Sequence, residues 1–544
     1  MTPNPSRRSS VAPEPMSGRR AFVLIVVLLI VTLLSLTGYK YADLMMAEYK
    51  AADKVVRSVQ AKALAESGVN YAAALLSDPK GLQDILNNNP FDNPEAFQDK
   101  LVLESDTPRF RGKFTIVATP VPGNFGDEDA DIRFGVSDEA AKINLNAMMR
   151  LDRSGDTLYD MLLRLPNMDE TIAACIVDWL DEDGEPRPGG AEDETYTAFE
   201  PAYLTKNAPI DSLDELLLVA PIRDNPSILY GGDLNRNGKI DPNESFDGDE
   251  RMALGLSAYL TVYSREQNVS SDMLPRINLN EKDLNALNQK LSGIVSPDVA
   301  KYIMMFRVYG GQRISADTFQ KALTSNISSV SEVSDADLNL NSRGKGRVTS
   351  ILDLVYSSVT VSKGGGKGKS RGNSSSKTYF SPLSDPGVME QFLPVLYDKT
   401  TTTKKTEIPS RININTAPEA VLYTLPELTE DEVQSILAFR PQPGDALNAN
   451  ILAPSLTWLV SDAGIDPNTL RKLERYVTAK SQIYRVQVLG YFEAGGPTVR
   501  LEAIIDTNVG NFAGVNQGRP RIVLMRDLTG LGKGFDVSQF VQSE

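Results

Sequence analysis

Residues 21–39 read AFVLIVVLLIVTLLSLTGY, a run without a single charged side chain. As one helix it is long enough to cross about 30 Å of hydrocarbon. Arg7, Arg8, Arg19 and Arg20 precede it against the single acid Glu14. Such a basic flank holds the N-terminus on the cytoplasmic side and sends the chain after Lys40 outward. No small-x-small cleavage site follows the run, so the reading is a retained anchor and not a secretory signal peptide. Helix-favouring composition continues past the apolar run, with no proline until Pro79. Leu44, Val55, Val59, Val69, Ala72 and Leu76 recur near helical spacing, which predicts one helix over 22–77, membrane-spanning over about 22–39, whose second half packs on a body outside.

Composition prunes the chemistry. The 544 residues contain no histidine and one cysteine, Cys175. That excludes Ser-His-Asp and Cys-His catalysis, imidazole zinc sites and any intrachain disulfide. Oxygen-liganded cations stay open. With 56 Lys plus Arg against 71 Asp plus Glu, the formal charge is −15, which opposes general affinity for nucleic acid.

The anchor architecture resembles the type IV pilin and type II secretion pseudopilin superfamily, in which a short basic leader is cut just before the residue that opens a long apolar helix. The resemblance implies a leader over 1–21, cut between Ala21 and Phe22, with Ala21 in place of the usual glycine. It also implies N-methylation of Phe22. Most pilins carry glutamate at the fifth mature position; here that position is Val26. A carboxylate without a partner in hydrocarbon is costly, so a subunit with no neighbour ahead of it does better with an apolar residue there. An uncleaved signal anchor is the alternative reading of the same segment.

A basic-Ile-Asn-apolar-Asn motif occurs three times, as Lys142-Ile143-Asn144-Leu145-Asn146, Arg276-Ile277-Asn278-Leu279-Asn280 and Arg411-Ile412-Asn413-Ile414-Asn415. Each copy precedes helical sequence, and asparagine suits the turn before a helix because its side chain accepts from free N–H groups. The sequences that follow predict related two-helix units. They are similar to helix-hairpin-helix units, but the turns at 166–170 and 426–431 are acidic and lack the phosphate-cradling glycines. Strand-like segments at 113–119, 132–136, 258–264, 483–491 and 498–506 complete the pattern.

The expected fold is α+β: a long N-terminal helix on a pilin-like α/β domain with a large inserted helical region, SAM-like or helix-hairpin-helix-like. The expected segments are 100–137 for the first part of that domain and 138–250 for an inserted helical domain. They continue with 251–407 for the second motif and an expansion with a flexible loop over 361–377, and 408–479 for the third motif. A hairpin over 480–508 and a tail over 509–544 close the chain.

DEAAKINLN at 138–146, DWLDEDGEPRPGGAEDETY at 178–196, KNAPIDSLDELLLV at 206–219, RININTAPEAVL and the ending TAKSQIYRVQVLGYF resemble the type II secretion protein K family of minor pseudopilins. The resemblance implies a non-enzymatic subunit at the tip of a periplasmic pseudopilus serving protein export. It places the chain in the inner membrane as a single-pass protein, with the N-terminus cytoplasmic and the bulk periplasmic. Implied partners are other minor pseudopilins and the shaft, a prepilin peptidase and an inner-membrane assembly platform, with no nucleic acid. Two other function classes fit parts of the sequence: a signal-anchored calcium-dependent surface enzyme or ligand-binding protein, and a competence-type DNA receptor.

Residues 233–244 match D-x-[DN]-x-[DN]-G-x5-E at every specified position. Asp233, Asn235 and Asn237 alternate, Gly238 permits the turn, Lys239 offers a carbonyl, Asp241 binds through water and Glu244 is bidentate in a calcium loop of this kind. An acidic surface turn is the competing reading. A second acid cluster, with Asp178, Asp181, Asp183 and Glu192 as its candidate ligands, suits a hard cation or a solvated loop, and the family resemblance implies calcium there too. Glycosidase-like carboxylate pairing finds no support, since nothing marks one acid as buried and another as base. Asp335, Asp337, Asn339 and Asn341 also alternate but lack the turn glycine. Gly368-Lys369-Ser370 lies in a basic Gly/Ser stretch whose spacing fails that of a phosphate loop. Trp179 and Trp458 read as core residues.

Overall fold

The computed structural model describes residues 18–78, 81–119, 132–166, 168–245, 253–272, 274–323, 329–333, 338–341, 344–362, 376–441, 455–508, 519–532 and 534–540. The leader up to residue 17, Asn167, Asp335, Asp337 and the Gly368-Lys369-Ser370 stretch lie outside them.

Helix α1 runs from Gly18 to Ser77, beginning inside the expected leader, and its 60 residues span about 90 Å at 1.5 Å per residue. From Phe22 it is apolar and long enough to cross a membrane. Phe22 and Val26 lie on its exposed stretch. Packing starts only near Arg57, so the expected stripe is half right: Val69, Ala72 and Leu76 are buried, whereas Leu44, Val55 and Val59 are exposed. Arg57 marks the transition. Its Nη2 donates to the carbonyls of Arg109 (3.0 Å) and Gly495 (2.8 Å), and its guanidinium lies over the Phe492 ring.

The partner of α1 is an antiparallel sheet of β1 (Lys100–Leu103), β2 (Gly112–Val117), β3 (Ser137–Asp138), β4 (Ile483–Phe492), β5 (Val499–Asp506) and β6 (Arg521–Asp527). The order is β1-β2-β4-β5-β6, with β3 on the same edge of β4 as β2. One face, including Val486, Val488, Leu501, Ala503 and Ile505, packs on Ala61, Leu64, Ala65, Val69 and Ala72 of α1. The layers meet closely at Gly490, where an added Cβ would sit 2.1 Å from the Ala61 carbonyl oxygen. Strand β6 falls within the expected tail, so that segment is structured. Its alternation of exposed and half-buried residues is that of an edge strand covered on one side. Past it, Phe535 and Phe540 pack on Val117, Leu489 and Tyr491 on the other face.

Between β3 and β4 the chain leaves the sheet for the helical segments. Each Ile-Asn motif there forms a two-residue strand paired in parallel with a distant one: Ile143–Asn144 with Leu260–Thr261, Ile277–Asn278 with Thr400–Thr401, and Ile412–Asn413 with Val477–Thr478. Helices follow at 156–163 and 170–180, at 284–291 and 297–309, and at 419–422 and 430–439. Asn144 caps the helix after it, accepting from Ala147 N at 2.9 Å. Buried side chains from Ile143 to Ala479 form a single cluster. The segments 138–250, 251–407 and 408–479 therefore share one core, because a pair of short helices cannot bury its apolar face alone. The expected loop 361–377 is shorter than its composition suggested: Ser357–Ser362 and Ser376–Phe380 pair as a hairpin, and only 363–375 lie outside the described residues. Among the expected strands, 132–136 contributes only an isolated bridge, Ala118 to Arg133.

Candidate metal centres

The 233–244 loop closes on itself through the atoms that the calcium pattern names. Asp233 is buried; its Oδ1 accepts from Asn237 N (3.0 Å) and its Oδ2 from Gly238 N (2.7 Å). Glu244 accepts from Asn235 N (3.1 Å) and Asp241 N (3.0 Å). Gly238 has φ +87°, a left-handed conformation that explains the glycine. Burial, with the Glu244 charge added, pushes Asp233 up to about 6. The Asn235 and Asn237 amides donate to Asp241 Oδ2 at 2.7 and 3.1 Å, so Asp241 is satisfied by nitrogen here; turning either amide over presents oxygen instead. The loop also docks on the sheet. Gln487 donates to the Arg236 carbonyl (2.7 Å), Asn237 Nδ2 to the Gly534 carbonyl (2.7 Å), and the buried Arg500 to the Asn235 carbonyl.

The second cluster is more selective than its sequence. Asp178, Asp181 and Glu192 are buried together, while Asp183 is exposed and accepts from Glu185 N. Asp178 is satisfied by the N–H groups of Arg187 (3.1 Å) and Ala191 (3.0 Å). Burial, then the charges of Asp183, Asp178 and Glu192, raise Asp181 to about 7, and burial raises Glu192 as well. Asp181 Oδ1, both Glu192 carboxylate oxygens, Thr205 Oγ1 and Asn207 Oδ1 are buried without a well-formed hydrogen bond, although Thr205 and Asn207 lie close enough to Glu192 to favour its charged form. Thr205 and Asn207 lie beside Glu192 and were not singled out from the sequence. Asn207 lies in the KNAPID stretch and Thr205 just before it, and that stretch has no metal-ligand spacing.

Among the described residues no three carboxylates or thiolates are arranged to hold a metal by themselves. Both oxygen sets mix carboxylates with amide, hydroxyl or backbone oxygen, the donor chemistry of a hard cation. The buried oxygens around Glu192 form a donor set that a hard cation would complete, because buried polar atoms without well-formed partners are costly.

Beside the first loop, Arg485 on β4 ties the sheet to the helical segments. Its Nε and Nη2 reach the two Glu139 oxygens at 2.9 and 2.8 Å, and its Nη1 reaches Glu502 on β5 at 2.9 Å. Thr261 donates to Glu139 as well (2.6 Å). Trp179 is buried, as expected; Trp458 is half-buried and donates to Asn415.

Residues 141–225 and 412–456 match two family models of the type II secretion system protein K. The type II secretion system protein K of Klebsiella pneumoniae is 28% identical over 213 residues, which is 37% of this chain and 58% of that protein. The chain thus spans a little over half the length of that curated relative. A solved GspK-GspI-GspJ complex of the enterotoxigenic Escherichia coli type 2 secretion system includes a chain that aligns at 11% identity and a TM-score of 0.32, covering 88% of this chain and 99% of that one. Through its two matched regions, the chain is similar to the type II secretion system protein K.

Proposed function

We propose that the chain is a minor pseudopilin of a type II secretion system, capping or initiating the periplasmic pseudopilus. The observation that carries this reading is the protein K match over 141–225 and 412–456, in a chain whose membrane-length helix continues unbroken into the sheet. A subunit built this way is held by its helix in the membrane or fibre while its body stays outside. The bulk of the helical segments suits a tip position, since a repeated shaft subunit would have to accommodate it at every step. No catalytic role is proposed.

In this reading the N-terminus is cytoplasmic, a prepilin peptidase cuts between Ala21 and Phe22 and methylates Phe22, and the partners are other minor pseudopilins and the inner-membrane platform. Calcium is the proposed ion. Asp233, Asn235, Asn237, Lys239, Asp241 and Glu244 would hold one ion, and Asp181 and Glu192, with Thr205 and Asn207, a second; it would offset the charge of buried carboxylates. The test is deletion of the gene in its own host. Loss of export of the type II cargo, with co-purification of other minor pseudopilins on the tagged chain, is expected; intact export would refute the function.

A further inference from the structure

A cleft of about 660 Å³ opens where the second and third Ile-Asn motifs meet. In a chain of formal charge −15 it is lined by seven cations and one carboxylate, Glu474. Three of the cations are spoken for. Arg313 and Arg471 share Asp353, at 2.6 and 3.2 Å, and Arg411 is paired with Glu266. The other four make no ion pair with any described residue. Arg276 donates to the Asp398 carbonyl (3.0 Å) and lies in the fields of the Glu266 and Asp398 carboxylates, Arg150 donates to the Asn146 carbonyl (3.3 Å), and Arg475 lies over the Tyr476 ring, while Lys405 is exposed. Glu474 is already committed, accepting from the Tyr397 and Ser350 hydroxyls and facing the charges of Arg411 and Arg471.

Gathering unpaired cations costs mutual repulsion, and a concave wall focuses their field outward. The lining contains no glycine to let backbone N–H groups cradle a phosphate. The one aromatic ring among its described lining residues, Tyr397, is buried, which leaves no open ring face for stacking a base. Guanidinium forks match carboxylates in two-point geometry, and the hydroxyls of Thr402 and Thr403 add neutral donors. The volume suits several residues of peptide better than one small ion.

We propose that this cleft binds an acidic peptide segment, whose carboxylates engage Arg150, Arg276, Lys405 and Arg475. The contact is independent of the calcium loops and of assembly through α1.

The test uses the full chain in neutral detergent and fluorescein-labelled hexaglutamate, read by anisotropy. Saturable binding at one site is expected, about tenfold weaker in the Arg150→Ala/Lys405→Ala/Arg475→Ala variant and weakened by salt. These three side chains are exposed, and an unchanged melting temperature verifies the variant's fold; Arg475→Ala alone is the second variant, expected to weaken binding less. Lys50→Ala/Lys282→Ala/Lys321→Ala, outside the cleft, should bind as wild type does. Equal binding by the cleft variants and wild type, or equal binding of hexaglutamine, overturns the proposal. Displacement of the peptide by tripolyphosphate or an oligothymidylate at lower concentration than by unlabelled hexaglutamate also overturns it, in favour of a phosphate site.

Discussion

Replacing Arg485 by methionine removes the one guanidinium that neutralises both Glu139 and Glu502 between sheet and helical segments. Glu139 is fully buried. Burial alone would push its pKa up, but the charges of Arg485 and Lys142 outweigh that and bring it to about 2 from an ordinary 4.5. A depression of that size corresponds to about 3 kcal/mol of stability at about 1.4 kcal/mol per unit. Because the folded pKa is lowered, this contribution is complete above pH 4.5 and is lost as pH falls toward 2. Arg485→Met reverses the sign. Glu139 then keeps Lys142 and Glu502 keeps Arg526 as the nearby cations, without the direct bidentate contact of Arg485, so burial dominates and raises both carboxylates, and the variant loses stability as pH rises. At pH 7 the variant should be about 3–5 kcal/mol less stable than wild type, narrowing near pH 4 where its carboxylates protonate. Urea unfolding followed by tryptophan fluorescence measures this, since Trp179 is buried in the segment that Glu139 joins to the sheet. Adding Glu139→Gln to Arg485→Met should recover part of the loss. A gap below about 1 kcal/mol at pH 7, or one that is equal at pH 7 and pH 4, would refute the account.

Intact-mass analysis of membrane-extracted protein should give a chain beginning at methylated Phe22; a chain beginning at Met1 would remove the pilin-type processing. Chelation should lower the melting temperature of wild type, by the equivalent of about 2.7 kcal/mol if the ion was present at 100 times its Kd. It should leave an Asp233→Ala/Glu192→Ala double variant unmoved, and a wild-type midpoint indifferent to chelator counts against both metal centres. Gly490→Val should cost about 1–3 kcal/mol by driving a side chain against the Ala61 carbonyl and loosening α1 from the sheet. Hydrogen exchange across Ala61–Ala73 would report that loosening, and unchanged protection would mean that the helix does not pack there as described.

What was legible in the sequence is what depends on near neighbours. The α1 helix announced itself by an uninterrupted apolar run and good helix formers. The 233–244 loop did so by a dense spacing whose glycine has the left-handed φ expected of it. The Ile-Asn motifs were visible as text. Their pairing was not, because Ile277–Asn278 meets Thr400–Thr401 across more than a hundred residues and a two-residue strand carries no periodicity. The packed stripe of α1 was misread for a similar reason: Val55 and Val59 share the helical spacing of Val69, and only the position of the sheet decides which are covered. Thr205 and Asn207 escaped notice because single neutral oxygens become candidate ligands only when burial strips them of water. The unpaired cations at the cleft likewise come from four separate stretches, and no window of sequence contains them together.

The order of the strands sets a condition on biogenesis. Strand β2 ends at Val117, yet its neighbour β4 does not begin until Ile483. The anchor and the first strands are therefore synthesised long before the surface that α1 covers exists. Until then the apolar stripe at Ala61, Leu64, Ala65 and Val69 has only β2 to cover it, and the β2 edge that β4 will pair with stays open. A chain that stops before β4 can still gather the core between Ile143 and Ala479, but it leaves the α1 stripe and the β2 edge open, the kind of surface that proteases and chaperones recognise. Completion of the sheet is in effect a proofreading step, passed only by chains that have been read nearly to their last strand.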